Sequence, residues 1–176
     1  PWSAQEFKTA IGRYDAALLP QDVPTYVLGN HDQPRIATRC GQEQARALAV
    51  ILLTLRGTPF VYYGEELGME NVAIPQSELR DGFIKTSDGN FSRDAERTPM
   101  QWDSTNSAGF SEAHPWLPVS ENYMKVNVVN QEKDPQSMLN LYRQLINFRN
   151  QSGALLEGAY AALETSSKDV FAYTRI

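Results

Sequence analysis

Apolar residues recur at three- and four-residue steps near the start of the chain, at Phe7, Ala10, Ile11 and Tyr14. This spacing places them on one face of a helix. Ser3 and Glu6 have the spacing of a capping box, in which the two residues satisfy the first free N–H groups of a helix. The pattern therefore predicts an amphipathic helix over residues 3–18, which Pro20 stops.

A strand, a helix and a second strand are predicted next. Residues 23–28 form a short apolar and β-branched run, and residues 60–63 form another that Gly64 closes. Between them, residues 42–55 have a polar start and nearly all-apolar later turns, which predicts a deeply buried helix. Strand, helix and strand within about forty residues is typical of a βαβ unit in a parallel sheet. We therefore predict an α/β fold.

Residues 67–133 lack sustained periodicity and are rich in Gly, Pro, Ser, Asn and Asp. The aromatic residues of this segment are Phe83, Phe91, Trp102, Phe110, Trp116 and Tyr123. Because disordered segments are poor in aromatic residues, we predict an ordered loop with short elements. Such long loops are commonly functional.

A further helix and a strand are predicted after the loop. Asp134 and Pro135 fit the N-cap and the first helical position, which predicts a helix over residues 135–150 that Gly153 caps. Residues 170–176 alternate between apolar and polar side chains and predict a strand that begins a β domain.

Net charge, cysteine and histidine counts and the length of apolar runs argue against several classes of function and site. The 176 residues carry a formal net charge of −5, whereas binding to nucleic acid requires a basic surface. Two His and one Cys exclude a disulfide within the chain and a Cys-rich zinc site. No apolar run reaches the roughly 18 residues that predict a membrane helix. The chain starts at Pro1 and enters a helix directly, so we expect it to be an internal piece of a longer protein.

Polar side chains follow both predicted strands. His31, Asp32 and Arg35 lie within five residues after the first strand, and Glu65 and Glu66 follow the second. In α/β proteins, ligands bind at the carboxyl ends of the strands. Neighbouring parallel strands would bring both groups to one rim, where a His, a carboxylate and an Arg are suited to binding hydroxyl groups.

The residues alone leave other interpretations open. Asn30 and Asp32 are also common turn residues, because their side chains hydrogen-bond the nearby backbone. A metal site could combine His31 and Asp32 with Cys40 or His114, but the spacing matches no known ligand pattern. A Ser-His-Asp triad lacks its Gly-x-Ser-x-Gly elbow, and no Gly-rich phosphate loop occurs. The two adjacent glutamates could be a catalytic pair or solvated surface.

Three motifs resemble the α-amylase superfamily, glycoside hydrolase family 13. Val-Leu-Gly-Asn-His-Asp-Gln-Pro-Arg at residues 27–35 resembles the strand-7 motif of that family. Gly-Thr-Pro-Phe-Val-Tyr-Tyr-Gly-Glu-Glu-Leu-Gly at residues 57–68 resembles its strand 8. Arg-Asp-Ala-Glu-Arg-Thr-Pro-Met-Gln-Trp-Asp at residues 93–103 resembles the following loop in the α-glucosidase and oligo-1,6-glucosidase branch.

The resemblance implies the C-terminal fragment of a (β/α)₈ TIM barrel, with about strands 7 and 8 and the flanking helices. Residues 1–152 would be the barrel portion, with residues 67–133 as the long loop after the last strand. Residues 153–176 would begin an antiparallel β domain. The missing strands of the same barrel would then be the structural partner of this chain, because two strands cannot close a barrel.

The family's reaction is retaining hydrolysis or transfer of α-glucosides, and a retaining mechanism needs a nucleophile and a general acid/base. The family places both carboxyl groups after strands 4 and 5, which this chain lacks, so we expect the isolated chain to be inactive. The resemblance makes Asp32 the third carboxylate, which stabilises the transition state through sugar hydroxyls. His31 would bind the sugar, and Arg35 would contact the sugar or hold Asp32.

The resemblance implies further candidate contact residues and alternative functions. Trp102, Phe91 and Glu65 are candidates for contacts with substrate or within the loop, while Arg97 is expected in a structural clamp of the loop. No cofactor and no metal are expected. The substrate would be an α-linked oligosaccharide of maltose or isomaltose type. Trehalose synthase and sucrose isomerase remain close alternatives, and a non-catalytic scaffold of the transporter heavy-chain type is the alternative of another class.

Overall fold

The computed structural model describes residues 3–19, 21–82 and 92–176. The α-helices of this part are α1 (Ala4–Ala16), α2 (Ile36–Cys40), α3 (Gln42–Thr54), α4 (Val128–Lys133), α5 (Met138–Gln151) and α6 (Gly153–Glu157). The strands are β1 (Thr25–Val27), β2 (Thr58–Phe60), β3 (Tyr160–Leu163) and β4 (Ala172–Arg175). None of these helices is long and apolar enough to cross a membrane.

The capping box at the start of α1 is confirmed. The Glu6 amide donates to the Ser3 hydroxyl at 3.2 Å, and the Ser3 amide donates to the Glu6 carboxylate at 2.8 Å. These reciprocal bonds satisfy two N–H groups that the first helical turn would leave free. The helix ends at Ala16, slightly earlier than predicted.

The predicted parallel strand pair is confirmed, with a shift in its second strand. β1 and β2 pair in parallel from Thr25 opposite Thr58 to Val27 opposite Phe60. The prediction of a strand over residues 60–63 was wrong, because the chain pairs earlier and then turns where the Glu65 amide donates to the Tyr62 carbonyl. Proline at position 59 is tolerated in this short edge pairing, which does not require its N–H.

The connection from β1 to β2 contains two helices instead of the one predicted. α2 spans only five residues, too few for a periodic pattern, and Gly41 with φ of +82° separates it from α3. α3 is buried as predicted. Its buried residues are Ala45, Leu48, Ala49, Leu52 and Leu53.

The helix predicted over residues 135–150 starts later, at Met138. The Ser137 hydroxyl caps it by accepting from the Asn140 amide at 3.1 Å, whereas Asp134 forms the turn between α4 and α5. The prediction that Gly153 caps the far end was also wrong, since this glycine begins α6. Ser and Asp both suit the N-cap, and here Ser137 is the residue whose side chain accepts from the third amide of α5.

The core joins the connection helices to α5. The members of its main cluster are Ile36, Ala37, Ala45, Leu48, Ala49, Leu53, Met138 and Tyr142. Buried Arg149 of α5 reinforces this contact by donating to the Leu53 and Leu55 carbonyls at 3.0 and 2.9 Å. These bonds satisfy carbonyl groups at the end of α3 and fix the approach to β2.

The loop after β2 is ordered through its described residues and contains short elements, as predicted. Its short 3₁₀ helices are Glu65–Leu67, Gln76–Glu78, Asp94–Glu96, Asn106–Gly109 and Glu121–Met124. A smaller core of Leu67, Met69, Met100 and Leu139 packs the loop against α5. The strand predicted at the C-terminus is β4, which pairs antiparallel with β3.

Candidate functional site

A tight turn at the carboxyl end of β1 presents two polar side chains to solvent. The Asn30 side chain accepts from the Asp32 amide at 2.8 Å, and Asn30 also bridges to Gln33. This is the turn chemistry that the residue types favour. The turn leaves the side chains of His31 and Asp32 exposed at 66% and 46%. Turn formation and ligand binding are therefore compatible here, because Asn30 forms the turn while its neighbours remain accessible.

Asp32 is held by two arginines from the loop after β2. Arg93 Nη1 donates to Asp32 Oδ1 at 2.7 Å, and Arg97 Nη2 donates to the same oxygen at 3.1 Å. His31 Nε2 lies 3.3 Å from Asp32 Oδ2. The hydrogen bond from Arg93 is the main cause that lowers the pKa of Asp32 below its usual range, so the carboxylate is ionised at neutral pH.

Sequence reasoning missed this contact to Arg93 and Arg97. Both arginines lie more than sixty residues from Asp32 along the chain. They flank the 3₁₀ helix Asp94–Glu96, so that both side chains can reach the same carboxylate. Arg97 also donates through Nε to the His31 carbonyl at 2.8 Å, which ties the loop to the turn. The available signal was the pair of arginines four residues apart in the loop motif.

Arg35 does not hold Asp32 in the structure, which corrects that part of the expectation. Its side chain is only 2% exposed, and its Nη1 donates to the Tyr63 carbonyl at 2.7 Å. The guanidinium also lies over the rings of Tyr62 and Tyr63, at 5.2 and 4.8 Å from their centroids. Burial lowers the pKa of Arg35. Arg35 therefore stabilises the segment that follows β2, at Tyr62 and Tyr63. The hydrogen bond and the ring contacts offset part of the cost of burying its guanidinium.

Glu65 lies beneath the turn and is buried, so it is neither a solvated surface glutamate nor open to solvent as Asp32 is. Its Oε1 accepts from the Tyr142 hydroxyl at 2.8 Å. A Cβ placed on Gly29 would lie 3.1 Å from Glu65 Oε2, so the absence of a side chain at Gly29 lets the turn rest on the carboxyl group. Burial raises the pKa of Glu65 to about 7 and also raises the pKa of Glu66.

The raised pKa of Glu65 predicts a pH-dependent stability. Between the usual pKa of 4.5 and the folded value of about 7, the folded protein keeps a proton that the unfolded chain releases. Stability from this group is complete below pH 4.5 and falls as pH rises through 7, by about 3 kcal/mol in total. Glu65→Gln removes this dependence, so we expect the difference in Tm between wild type and variant to change from pH 5 to pH 8.

The measurement is a series of thermal unfolding curves across that pH range. Glu43→Gln is the matched control, because Glu43 is an exposed glutamate at the start of α3. The control should follow wild type at every pH. Parallel Tm curves for wild type and Glu65→Gln would contradict a protonated, buried Glu65.

A family model described as the alpha amylase catalytic domain matches residues 1–158. The chain belongs to the alpha-amylase catalytic-domain family. The family predicted from the three sequence motifs is thereby confirmed.

Curated relatives support the predicted branch of the family. The chain is 34% identical to an oligo-1,6-glucosidase of Parageobacillus thermoglucosidasius, covering 99% of this chain and 36% of the relative. It is also 34% identical to an alpha-glucosidase of Apis mellifera, covering 98% of the chain and 31% of the relative. The chain thus spans about a third of the length of these relatives.

Solved structures of the same family are similar over the whole chain. Trehalulose synthase MutB from Pseudomonas mesoacidophila MX-45 is 37% identical with a TM-score of 0.85. Isomaltulose synthase PalI from Klebsiella sp. LX3 is 36% identical, also with a TM-score of 0.85. Each similarity covers 100% of this chain and 36% of the solved chain.

Trp102, a further predicted contact, lies in the loop after β2. Trp102 is half exposed, and its amide donates to the Ala108 carbonyl at 2.9 Å, but it is not among the residues that hold Asp32. Its neighbour Gln101 is fully buried and donates to Asn122 at 2.9 Å, which fixes the loop. Phe91 lies outside the described residues. In residues 3–19, 21–82 and 92–176, no group of three or more metal-binding side chains is found.

Proposed function

We propose that this chain is part of a retaining α-glucosidase that acts on α-linked glucosides of maltose or isomaltose type. The observation that carries the proposal is the exposed, ionised Asp32 at the carboxyl end of a parallel strand, held by Arg93 and Arg97. Ligands of α/β folds bind at this end of the strands. The similarity to glucosidases along nearly the whole chain supports the same conclusion.

In this proposal, β1 and β2 are the last two strands of the (β/α)₈ barrel, within residues 1–152. The β3–β4 hairpin, in residues 153–176, begins the C-terminal β domain. The exposed ends of the parallel pair support a barrel continuation, because Val27 and Phe60 are 50% and 54% exposed. Apolar side chains at a strand end are typically covered in a closed barrel. The covering partner would be the remainder of the same barrel.

Asp32 would act on the sugar without forming a covalent bond. As the glycosidic bond breaks, the ring flattens toward an oxocarbenium ion and its hydroxyl groups shift. An ionised carboxylate accepts stronger hydrogen bonds from hydroxyl groups than a neutral acceptor does. Asp32 therefore favours the transition state over the bound substrate, which is the condition for a faster reaction. His31, exposed beside it, would bind the neighbouring hydroxyl group.

The two oxygens of Asp32 would divide the arginine contacts from the sugar contact. Both guanidinium groups donate to Oδ1, while Oδ2 lies toward His31. Oδ2 is therefore the oxygen better placed to accept a sugar hydroxyl. The arginines would keep the carboxylate ionised and fix its plane while the sugar binds.

The nucleophile and the general acid/base would come from the strands that precede this chain in the barrel. We therefore expect the isolated 176-residue chain to be inactive toward α-glucosides. Hydrolysis by the isolated chain, abolished by Asp32→Asn, would contradict this division of the site.

Transfer of the glucosyl group to a sugar hydroxyl is the second candidate. It is favoured by the similarity to trehalulose synthase and isomaltulose synthase structures over the whole chain. Transfer and hydrolysis share the first chemical step and differ in the acceptor. A non-catalytic scaffold is less favoured, because the Asn30-His31-Asp32 turn is intact and a scaffold does not require it.

The test uses the complete protein that carries this chain. Isomaltose, maltose and sucrose are supplied separately, and the products are separated by chromatography. Glucose released from isomaltose or maltose supports the glucosidase. A sucrose isomer as the main product supports transfer, and no turnover of any of the three contradicts both.

A further inference from the structure

A second carboxylate, Asp81, forms a bidentate ion pair with Arg93, the arginine that also binds Asp32. Arg93 Nε donates to Asp81 Oδ2 at 2.8 Å, and Arg93 Nη2 donates to Asp81 Oδ1 at 2.8 Å. The Arg93 amide adds a third bond to Oδ2 at 2.9 Å. Two parallel bonds between guanidinium and carboxylate fix the plane and direction of the guanidinium, unlike a single contact.

With its Nε and Nη2 bound to Asp81, Arg93 directs its third nitrogen, Nη1, at Asp32. The guanidinium is planar, so a carboxylate on its Nε–Nη2 edge sends Nη1 to the opposite side. Nη1 is the atom that donates to Asp32 Oδ1 at 2.7 Å. Arg93 therefore connects the two carboxylates, and its bonds to Asp81 determine where Nη1 meets Asp32.

The two carboxylates differ in their surroundings. The Asp81 side chain is 2% exposed, whereas that of Asp32 is 46% exposed. Asp81 is itself fixed by fully buried Asp94, whose Oδ2 accepts from the amides of Arg80 and Asp81 at 2.6 and 2.8 Å. Arg97 Nη1 lies 3.9 Å from Asp81 Oδ1, so both arginines near Asp32 also face Asp81.

We propose that Asp81 is a positioning residue for the glucosyl-binding carboxylate, acting on Asp32 through Arg93. This inference rests on the proposed function of Asp32. Asp81 does not touch the sugar in this scheme. It fixes the orientation of the Arg93 guanidinium. It also supplies a negative charge that partly neutralises the two guanidinium groups beside Asp32.

The charge balance has a consequence for substrate binding. Two arginines facing Asp32 alone would compete with sugar hydroxyls for its oxygens. Asp81 accepts from the Nε–Nη2 edge of Arg93, and the bond that Nη1 donates to Asp32 goes to Oδ1. Oδ2 then stays available on the side of His31, 3.3 Å from its Nε2.

The test is a double-mutant cycle in the complete protein, with isomaltose or maltose as substrate. Asp81→Asn removes the negative charge and one of the two oxygens that accept from the Arg93 guanidinium. We expect kcat to fall about 100-fold with a smaller change in KM. In an Arg93→Ala background, the same substitution should lower kcat by less than about threefold, because the residue through which it acts is gone. An equal loss in both backgrounds would overturn the proposal.

A second variant guards against a folding defect. Asp81→Glu keeps the negative charge and moves the carboxylate by about one methylene, so folding should persist while Arg93 is aimed wrongly. We expect at least a tenfold loss of kcat per folded molecule. Normal kcat in folded Asp81→Glu would overturn the proposal. Asp103→Asn is the matched control, because Asp103 accepts from Thr105 in the same loop and should leave kcat unchanged.

A structural readout separates this inference from the proposed function. In a crystal structure of folded Asp81→Asn or Asp81→Glu, we expect Arg93 Nη1 to lie more than about 4 Å from Asp32 Oδ1, beyond hydrogen-bond distance. An unmoved Arg93 would overturn the positioning role. If wild type turns over no α-glucoside, the proposed function fails, yet the position of Arg93 in the variants still decides whether Asp81 aims it.

Discussion

Replacing Asp32 by Asn in the complete protein is expected to lower kcat/KM for an α-glucoside by about a thousandfold. Asn keeps the size of the side chain but removes its charge, and only one of its two terminal atoms accepts hydrogen bonds. Hydrogen bonds that tighten in the transition state of glycoside cleavage contribute several kcal/mol. A loss of about 4 kcal/mol corresponds to about a thousandfold in rate.

The same substitution should affect folding far less. The Asp32 side chain is 46% exposed at the end of a turn, and its backbone bond to Asn30 does not involve the carboxylate. Steady-state kinetics and thermal unfolding of the same preparations test both parts, with Asp103→Asn as the control for losing a loop carboxylate. A sharp fall in Tm with normal activity per folded molecule would assign Asp32 a structural role.

Replacing Gly57 by Ala is expected to give the largest loss of stability, about 4 kcal/mol. Gly57 has φ of +112°, where an L side chain is strained. Its added Cβ would lie 2.2 Å from the Pro24 carbonyl oxygen and 2.7 Å from Pro24 Cγ. The backbone must move, and the bond from the Thr58 amide to the same carbonyl at 2.8 Å would be disturbed. This bond begins the pairing of β1 with β2.

Gly12→Ala is the matched control for this prediction. Gly12 lies in α1, and an added Cβ would meet nothing within 4 Å, so Ala should stabilise the helix by up to about 1 kcal/mol. Thermal unfolding of both variants gives opposite signs in this account. A Gly57→Ala protein as stable as wild type would mean that the junction before β2 relaxes without cost.

Local signals in the sequence were sufficient for the parts of the fold that neighbouring residues determine. The capping box of α1, the buried α3 and the parallel pairing of the two flanking strands follow from short-range pattern and turn chemistry. The start of β2 was misplaced because Thr58 and Pro59 precede the apolar run, whereas the hydrogen bond from the Thr58 amide to the Pro24 carbonyl begins the pairing. Ser137 displaced Asp134 as a cap because both residue types suit that position.

In the candidate site, too, the sequence predicted what neighbouring residues determine and missed the contacts between distant ones. The exposed pair of His31 and Asp32 followed from its place after a strand. The arginines that hold Asp32 come from more than sixty residues away, and no local pattern joins Arg93 to that carboxylate. The family resemblance implied that Arg35 contacts the sugar or holds Asp32, but the start of α2 places its guanidinium beside the rings of Tyr62 and Tyr63.

The anomeric configuration of the first product tests the central claim most directly. The complete protein is mixed with an α-glucoside in an NMR tube, and the signals of α- and β-glucose are followed before they equilibrate. A retaining glucosidase releases α-glucose first, and Asp32→Asn should slow that release about a thousandfold without changing the configuration. β-Glucose as the first product, or α-glucose released at an unchanged rate by the Asp32→Asn protein, would contradict the account.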